Sequence, residues 1–272
     1  MSGAFTAAQL REQVEGRQWY HTLELAPGLR TPGWFDLREA AAELLPQSLA
    51  GRRCLDVGTF DGFWAFEMER RGAAEVVAID ILDPRRWDWP ANSTEEVVAA
   101  LDQRKRGGAG FELAHEALGS AVERRELSVY DLDPADVGEF DFVYVGSLLL
   151  HLRDPVRALA AVRSVCTGEA VLVDAIDLPK TLLYRRQPVA TLDGRGRPWW
   201  WKPNLAALAR LAEAAGFELT RPPRRLRLPL GEGHPQRLRS PQLLLSAAGR
   251  EELLNSWRGD PHGVIAARPA AG

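Results

Sequence analysis

Cysteine is scarce in this chain, and what is there does not suggest a scaffold. Among 272 residues only Cys54 and Cys166 occur, in separate apolar segments. That excludes a disulfide framework and points to two reduced core thiols. No apolar run reaches the roughly 18 residues of a membrane-spanning helix, and the first residues lack the apolar core of a signal peptide, so a cytoplasmic location is the default and no membrane partner is expected. A formal net charge of −3 argues against a broadly basic surface for nucleic acid. Five scattered histidines form no HExxH or comparable cluster and CxxC is absent, so no metal site is expected. Also missing are GxGxxG, a Walker lysine, GxSxG and any 20–50-residue repeat. Tryptophan, in contrast, is plentiful at nine residues, several of them clustered.

The most informative stretch is Arg53–Gly62, RCLDVGTFDG. Cys54, Leu55 and Val57 suit a buried strand, and Phe63, Trp64, Phe66 and Met68 suit the packed face of a following helix. A glycine turn between the two, Gly58-Thr59-Phe60-Asp61-Gly62, places backbone N–H groups beside a ligand. Its GxxxG spacing demands no diphosphate. A second apolar run, Glu75–Asp80, ends in an acid 22 residues after Gly58. Near that spacing an acidic side chain reaches the two hydroxyls of a ribose, so Asp80, with Ile81 beside it, is a candidate nucleoside contact; a strand-end cap is the plainer reading.

Strand and helix patterns alternate from Cys54 to Ile176, which argues for an α/β fold with a largely parallel sheet covered on both faces. Strands are expected at Leu127–Asp131, Phe140–Val145 and Ala170–Ile176. Ahead of them, Thr6–Val14 reads as a capped helix with Gln9 completing a capping box, and Asp36 as the cap of Leu37–Leu45. Ser93 with Glu96 suggests a second capping box, for a helix through Arg104, and Phe111–Leu118 continues as a helix. The run Arg104–Arg106 reads as a solvated face. Asp154-Pro155 opens Val156–Val165, and Asn204 caps Leu205–Ala215. Phe217–Leu228 is extended but broken by Pro222-Pro223, Ser240–Trp257 suggests a helix, and Gly263–Ala267 a final edge strand.

LDVGTFDG followed by VVAID resembles the cofactor-binding half of class I S-adenosylmethionine-dependent methyltransferases, over about residues 52–176. The resemblance implies a Rossmann-like, seven-stranded, mostly parallel sheet with an antiparallel edge strand, helices on both faces and an N-terminal extension. It implies S-adenosyl-L-methionine as cofactor, with Gly58, Thr59, Phe60 and Gly62 around the methionine part and Asp80 on the ribose. Asp131 and Leu132 would meet the adenine, although Asp131 also suits a turn cap. Asp56 would fix the turn or meet the cofactor amino group, and Gly146 ends the fourth strand beside the cofactor.

The segments WYHTLEL, TPGWFDLR, GSLLLHLRDP and Trp199–Asn204 are similar to a branch related to bacterial tRNA wobble-uridine (carboxy)methyltransferases, which carry a tyrosine where Leu150 stands here. Residues 1–50 then form an aromatic arm, a candidate cover of the site, and residues 51–272 the methyltransferase domain, with insertions near 84–120 and 180–203. His151, directly after a core strand, is a candidate general base, as is His21; either also suits a structural role. Trp19, Tyr20, Trp34, Trp87, Trp89, Arg153, Trp199 and Trp201 are candidate substrate contacts, with core packing as the plain alternative. The expected acceptor is an oxygen, or a nitrogen, of a small aromatic or natural-product-like molecule. A tRNA and a non-catalytic nucleoside-binding protein are the alternatives, and a homodimer is left open.

Overall fold

The computed structural model describes residues 5–234 and 258–271. The helix expected within Ser240–Trp257 lies outside them. Eight strands build the central sheet: β1 (Arg53–Val57), β2 (Glu75–Asp80), β3 (Glu123–Glu126), β4 (Phe140–Gly146), β5 (Cys166–Ala175), β6 (Phe217–Leu219), β7 (Arg224–Leu228) and β8 (Asp260–Pro269). β1 lies between β2 and β4, β3 is outside β2, and β5 is outside β4, all parallel. β8 then runs antiparallel to β5, and β6 and β7 pair with it in turn. Pro222-Pro223 divides what would be one strand into β6 and β7, so eight strands fill seven positions. The antiparallel strand is therefore not the edge, as Gly263–Ala267 was expected to be. β6 and β7 cover its outer side.

Alternation along each strand sends residues to two buried layers. Cys54, Val76, Phe142 and Tyr144 face a core shared with α1 (Phe63–Arg70), with Phe111 and Ala114 of a later helix, and with Leu10, Trp19 and Leu23 of the arm. Leu55, Val77, Val143 and Leu172 face the other core. There they meet Leu159 and Val162 of the helix Pro155–Val165 and Leu208 of Leu205–Ala214. Caps follow sequence chemistry. Thr6 and Gln9 form the expected box, and Asn204 Oδ1 accepts the Ala207 N–H at 2.8 Å.

Three local expectations fail for identifiable reasons. The third strand is Glu123–Glu126, and Val129–Asp131 is a 3-10 turn beyond its end. β3 is an edge strand carrying ERRE, so it shows none of the apolar run that made 127–131 attractive. The helix α2 (Glu95–Lys105) is capped by Thr94 rather than Ser93, without a capping box. Asp36 pairs with Arg38 at 2.6 Å instead of capping Arg38–Leu44, whose N-cap position is Leu37. After α2 the chain continues into α3 (Ala109–Leu118). The insertion near 180–203 holds a hairpin pairing Ala190–Leu192 with Trp201–Pro203. Both cysteines are free and buried. Among the described residues no helix is long and apolar enough to cross a membrane.

Candidate active site

The turn after β1 is tied to β2 rather than left open. Gly58, at φ +80°, and Thr59 both donate their N–H groups to the Ile79 carbonyl, at 2.9 and 3.1 Å. Phe60, itself at φ +51°, donates to Asp80 Oδ2 at 2.8 Å. Most of the N–H donors expected to face a ligand from the glycine spacing are thus already spent, Gly62 donating to the Thr59 carbonyl at 2.9 Å as well. What Gly58 supplies is room: a Cβ there would stand 3.4 Å from the Leu148 side chain.

Asp80 accepts a second N–H, from Ile81 to Oδ1 at 2.7 Å, and Lys105 Nζ lies 2.6 Å from Oδ2. Two N–H donors and the ion pair leave part of the carboxylate's roughly four lone-pair sites for a ligand hydroxyl. Lys105, at the end of α2, has a side chain only 1% exposed, and its ammonium lies 4.7 Å from the Phe60 ring and 5.0 Å from Trp87. The neighbouring Arg104 guanidinium stacks on Trp34 at 3.6 Å. Of the run expected to be a solvated face, only Arg106 is exposed. α2 turns the other two inward.

These residues line a cavity of about 560 Å³ at the carboxyl ends of β1, β2 and β4. That is where open α/β sheets bind ligands, and the volume is in the range of small-molecule sites. Of the residues singled out from sequence, Gly58, Phe60, Asp80, Ile81, Gly146, His21, His151, Tyr20, Trp34, Trp87 and Trp199 reach its wall. Asp56, Thr59 and Gly62 lie off the wall, in or under the turn. Asp56 is buried with Oδ2 unpartnered, and burial pushes its carboxyl up to about 7. Asp131 and Leu132 are also off the wall; Leu127 to Tyr130 stand there instead, because β3 ends earlier than its apolar sequel suggested.

Trp19 is fully buried, its indole donating to the Val14 carbonyl at 3.0 Å. Trp89 donates to the Pro84 carbonyl at 2.6 Å, and Trp201 to that of Arg153 at 3.0 Å. None of Trp19, Trp89, Trp201 or Arg153 lines the cavity.

The arm is fixed by a residue of the turn itself. Asp61 is buried, and its Oδ2 accepts the N–H groups of Tyr20 at 2.6 Å and His21 at 3.1 Å. Burial raises the Asp61 carboxyl to about 6, while those two hydrogen bonds hold it down. Trp19–His21 pairs in parallel with Gly33–Phe35, so the same clip carries Trp34 and Phe35 to the cavity.

Residues 33–221 match the methyltransferase domain family. The chain belongs to that family. Its fold and site fit class I, S-adenosylmethionine-dependent methyltransferases: the seven-position sheet, the turn after β1 and the acid ending β2 are all in place. A search of curated proteins returned no match. Among solved structures, the methyltransferase chain is similar to the N-terminal domain of EvdMO1 in the presence of SAH and D-fucose, at 16% identity and TM-score 0.58 over 100% of both chains. Against whole EvdMO1 the identity is 20% and the TM-score 0.55, over 99% of this chain and 49% of that one. The [4+2]-cyclase SpnF is similar at 18% identity and TM-score 0.51, over 97% and 93%. At such identities the likeness concerns the fold.

Of the two histidines proposed as bases, His21 is buried and His151 half-buried, and desolvation lowers the pKa of each. His151 Nδ1 donates to the Pro198 carbonyl; burial lowers the ring to about 4, against the pull of that hydrogen bond. His21 is brought down to about 3 by burial, and its Nδ1 has no partner. Pro198 belongs to the second insertion, and so does Trp200, whose indole donates to the Asp88 carbonyl at 2.6 Å. Asp88 Oδ2 in turn accepts the Tyr130 hydroxyl at 2.6 Å and the Arg153 N–H at 2.9 Å. The two insertions and the turn after β3 are thereby joined over the cavity.

The sequence reading missed Lys105, Arg104, Asp61, Ser147, Asp260 and His262. Only Asp61 carried a local signal, its place inside the glycine turn. The others depend on which helix face or which non-neighbouring strand meets the cavity.

Proposed function

We propose that the chain transfers the methyl group of S-adenosylmethionine to an oxygen, or failing that a nitrogen, of a small aromatic or natural-product-like molecule. The observation that carries this is the division of the cavity wall. Gly58, Asp80 and Ile81 line one part, at the ends of β1 and β2, while Tyr20, Trp34 and Phe35 of the arm and Trp199 of the second insertion line others. When bound, S-adenosylmethionine supplies a methyl group on a positively charged sulfur. The remaining acceptor capacity of Asp80 suits a ribose hydroxyl, and Lys105, 2.6 Å away, holds that carboxylate in place. The arm, clipped by Asp61, serves as cover: it keeps water from the reacting atoms and orients a flat acceptor between rings. His151 and His21, read from the sequence as candidate bases, are better suited to position the wall, since burial keeps both from holding a proton near neutrality.

A second reading, methylation of an unstacked tRNA base, is favoured by the same aromatic rings. It remains below the small-molecule reading because the net charge is −3. The test is calorimetric titration with S-adenosylmethionine and S-adenosylhomocysteine, followed by labelled-methyl transfer to panels of phenols, deoxysugars, aromatic amines and unmodified tRNA. Labelling of small acceptors supports the proposal, and labelling of tRNA alone overturns it.

A further inference from the structure

Resting on the methyl-transfer reading, we propose that Ser147, His262 and Asp260 form the proton acceptor of this site, and that the methylated atom is therefore a hydroxyl oxygen. The three residues come from elements far apart in sequence. Ser147 directly follows β4, while Asp260 and His262 belong to β8. Register brings them together: Gly146 of β4 lies opposite Val173 of β5, and Ala175 of β5 opposite His262. All three residues line the cavity, alongside Tyr20 of the arm.

Ser147 Oγ is 3.1 Å from His262 Nε2, and the imidazole is almost wholly buried. On its other side, Nδ1 is 3.2 Å from the Asp260 carbonyl oxygen and 3.6 Å from Asp260 Oδ2. Both are acceptors for a neutral ring, so Nδ1 carries the proton and the lone pair of Nε2 faces the serine hydroxyl. Ser147 is held at φ +50°, a left-handed conformation unusual for serine, with its N–H fixed to the Val173 carbonyl at 2.7 Å. The buried Asp174 carboxyl, which accepts the Leu149 N–H at 2.7 Å, lies close enough to His262 to interact with it electrostatically.

A serine, a histidine and an acid in this order also suggest acyl-transfer chemistry. The neighbouring N–H groups argue against it: that of Ser147 is spent on Val173 and that of Leu149 on Asp174, so neither can serve an oxyanion. Proton removal needs no such donors. The acceptor hydroxyl donates to Ser147 Oγ as the serine proton passes to His262 Nε2. The acceptor oxygen forms the new bond to the methyl carbon, and the bond from that carbon to sulfur breaks with its electron pair going to sulfur, which leaves as a neutral thioether. The imidazolium, stabilised by Asp260, later returns its proton to water. A neutral amine attacks without prior deprotonation, so this relay has work to do only for oxygen.

The test uses the full chain, with 4-methylphenol, 4-nitrophenol and aniline as acceptor probes and labelled S-adenosylmethionine as donor. His262→Gln and Ser147→Ala are expected to lower kcat on 4-methylphenol by about 10²–10⁴-fold. The loss should be far smaller on 4-nitrophenol, which is largely ionised at pH 8, with cofactor Kd unchanged within about twofold. An equal loss on both phenols, or labelling of aniline alone, overturns the proposal. A second readout needs no turnover: ¹⁵N NMR of His262 should show the Nδ1–H tautomer, with an Nε2 resonance that moves in Ser147→Ala. An Nε2–H tautomer, or an Nε2 signal indifferent to that substitution, also overturns it. Failure of the wild type to bind S-adenosylmethionine would instead remove the methyltransferase reading, and the imidazole signal still decides the relay.

Discussion

Lys105 Nζ lies 2.6 Å from Asp80 Oδ2, with the lysine side chain 1% and the aspartate 10% exposed. An ammonium so deep is offset by the opposite charge of the carboxylate beside it. Removing one member leaves the other uncompensated. Lys105→Met is expected to destabilise the fold by about 3 kcal/mol, and Asp80→Asn in the same chain to recover part of that. Urea denaturation of the two single variants and the double variant checks this; strictly additive losses would mean that the pair is not coupled. Asp80→Asn alone is expected to weaken S-adenosylmethionine binding by about 10–100-fold, through loss of a charged acceptor.

Buried carboxylates set an unusual pH dependence. Burial raises Asp56 to about 7 and Asp61 and Asp174 to about 6. Each binds its proton more tightly folded than unfolded, so each contributes stability that is complete below the ordinary carboxylate range and lost as pH rises through 6 to 7. Asp56→Asn is therefore expected to flatten the fall in stability between about pH 4 and 7. Denaturation midpoints across that range decide it, and parallel curves for variant and wild type would reject the assignment.

Gly62 begins α1 at φ +91°, and a Cβ there would stand 2.4 Å from Phe66 Cε2 and 2.8 Å from Phe111 Cδ2. Gly62→Ala combines backbone strain with overpacking of two core rings and is expected to cost about 2–4 kcal/mol. Gly28, at φ +75° with open space around it, isolates the backbone part, so Gly28→Ala should cost about 1 kcal/mol. Equal losses at the two positions would show that the rings give way freely.

Much of this was legible in the sequence where a feature was local. The turn Gly58–Gly62, Asp80 and the caps Thr6, Asp154 and Asn204 needed only neighbouring residues. β3 was misplaced because an edge strand reading ERRE has no buried face to announce it. Lys105 was misread because a basic run shows its helix phase only once α2 is docked against Asp80. His262 was invisible as a site residue: nothing in Pro261-His262-Gly263 states that β8 will lie beside β5.

The three consecutive tryptophans divide their work. Trp199 lines the cavity under the Arg197 guanidinium, 3.9 Å from its ring, whereas Trp200 bonds the Asp88 carbonyl and Trp201 that of Arg153. Trp200→Ala is expected to lower Tm by about 3–6 °C, for a loss of roughly 1–2 kcal/mol, and Trp199→Ala by less than about 2 °C. Thermal unfolding of both variants checks the division, which fails if Trp199→Ala proves the more damaging.

The placement of β8 between β5 and the broken strand β6–β7 gives the molecule two separable competences. The part of the wall proposed for the nucleoside comes from residues 57–130, whereas the proposed proton acceptor His262 arrives on a strand from beyond residue 258. On these proposals, a substitution that shifts β8 against β5 would leave a protein that still captures its cofactor yet has nowhere to send a proton. Such a species would register as fully loaded in any binding assay while being catalytically silent.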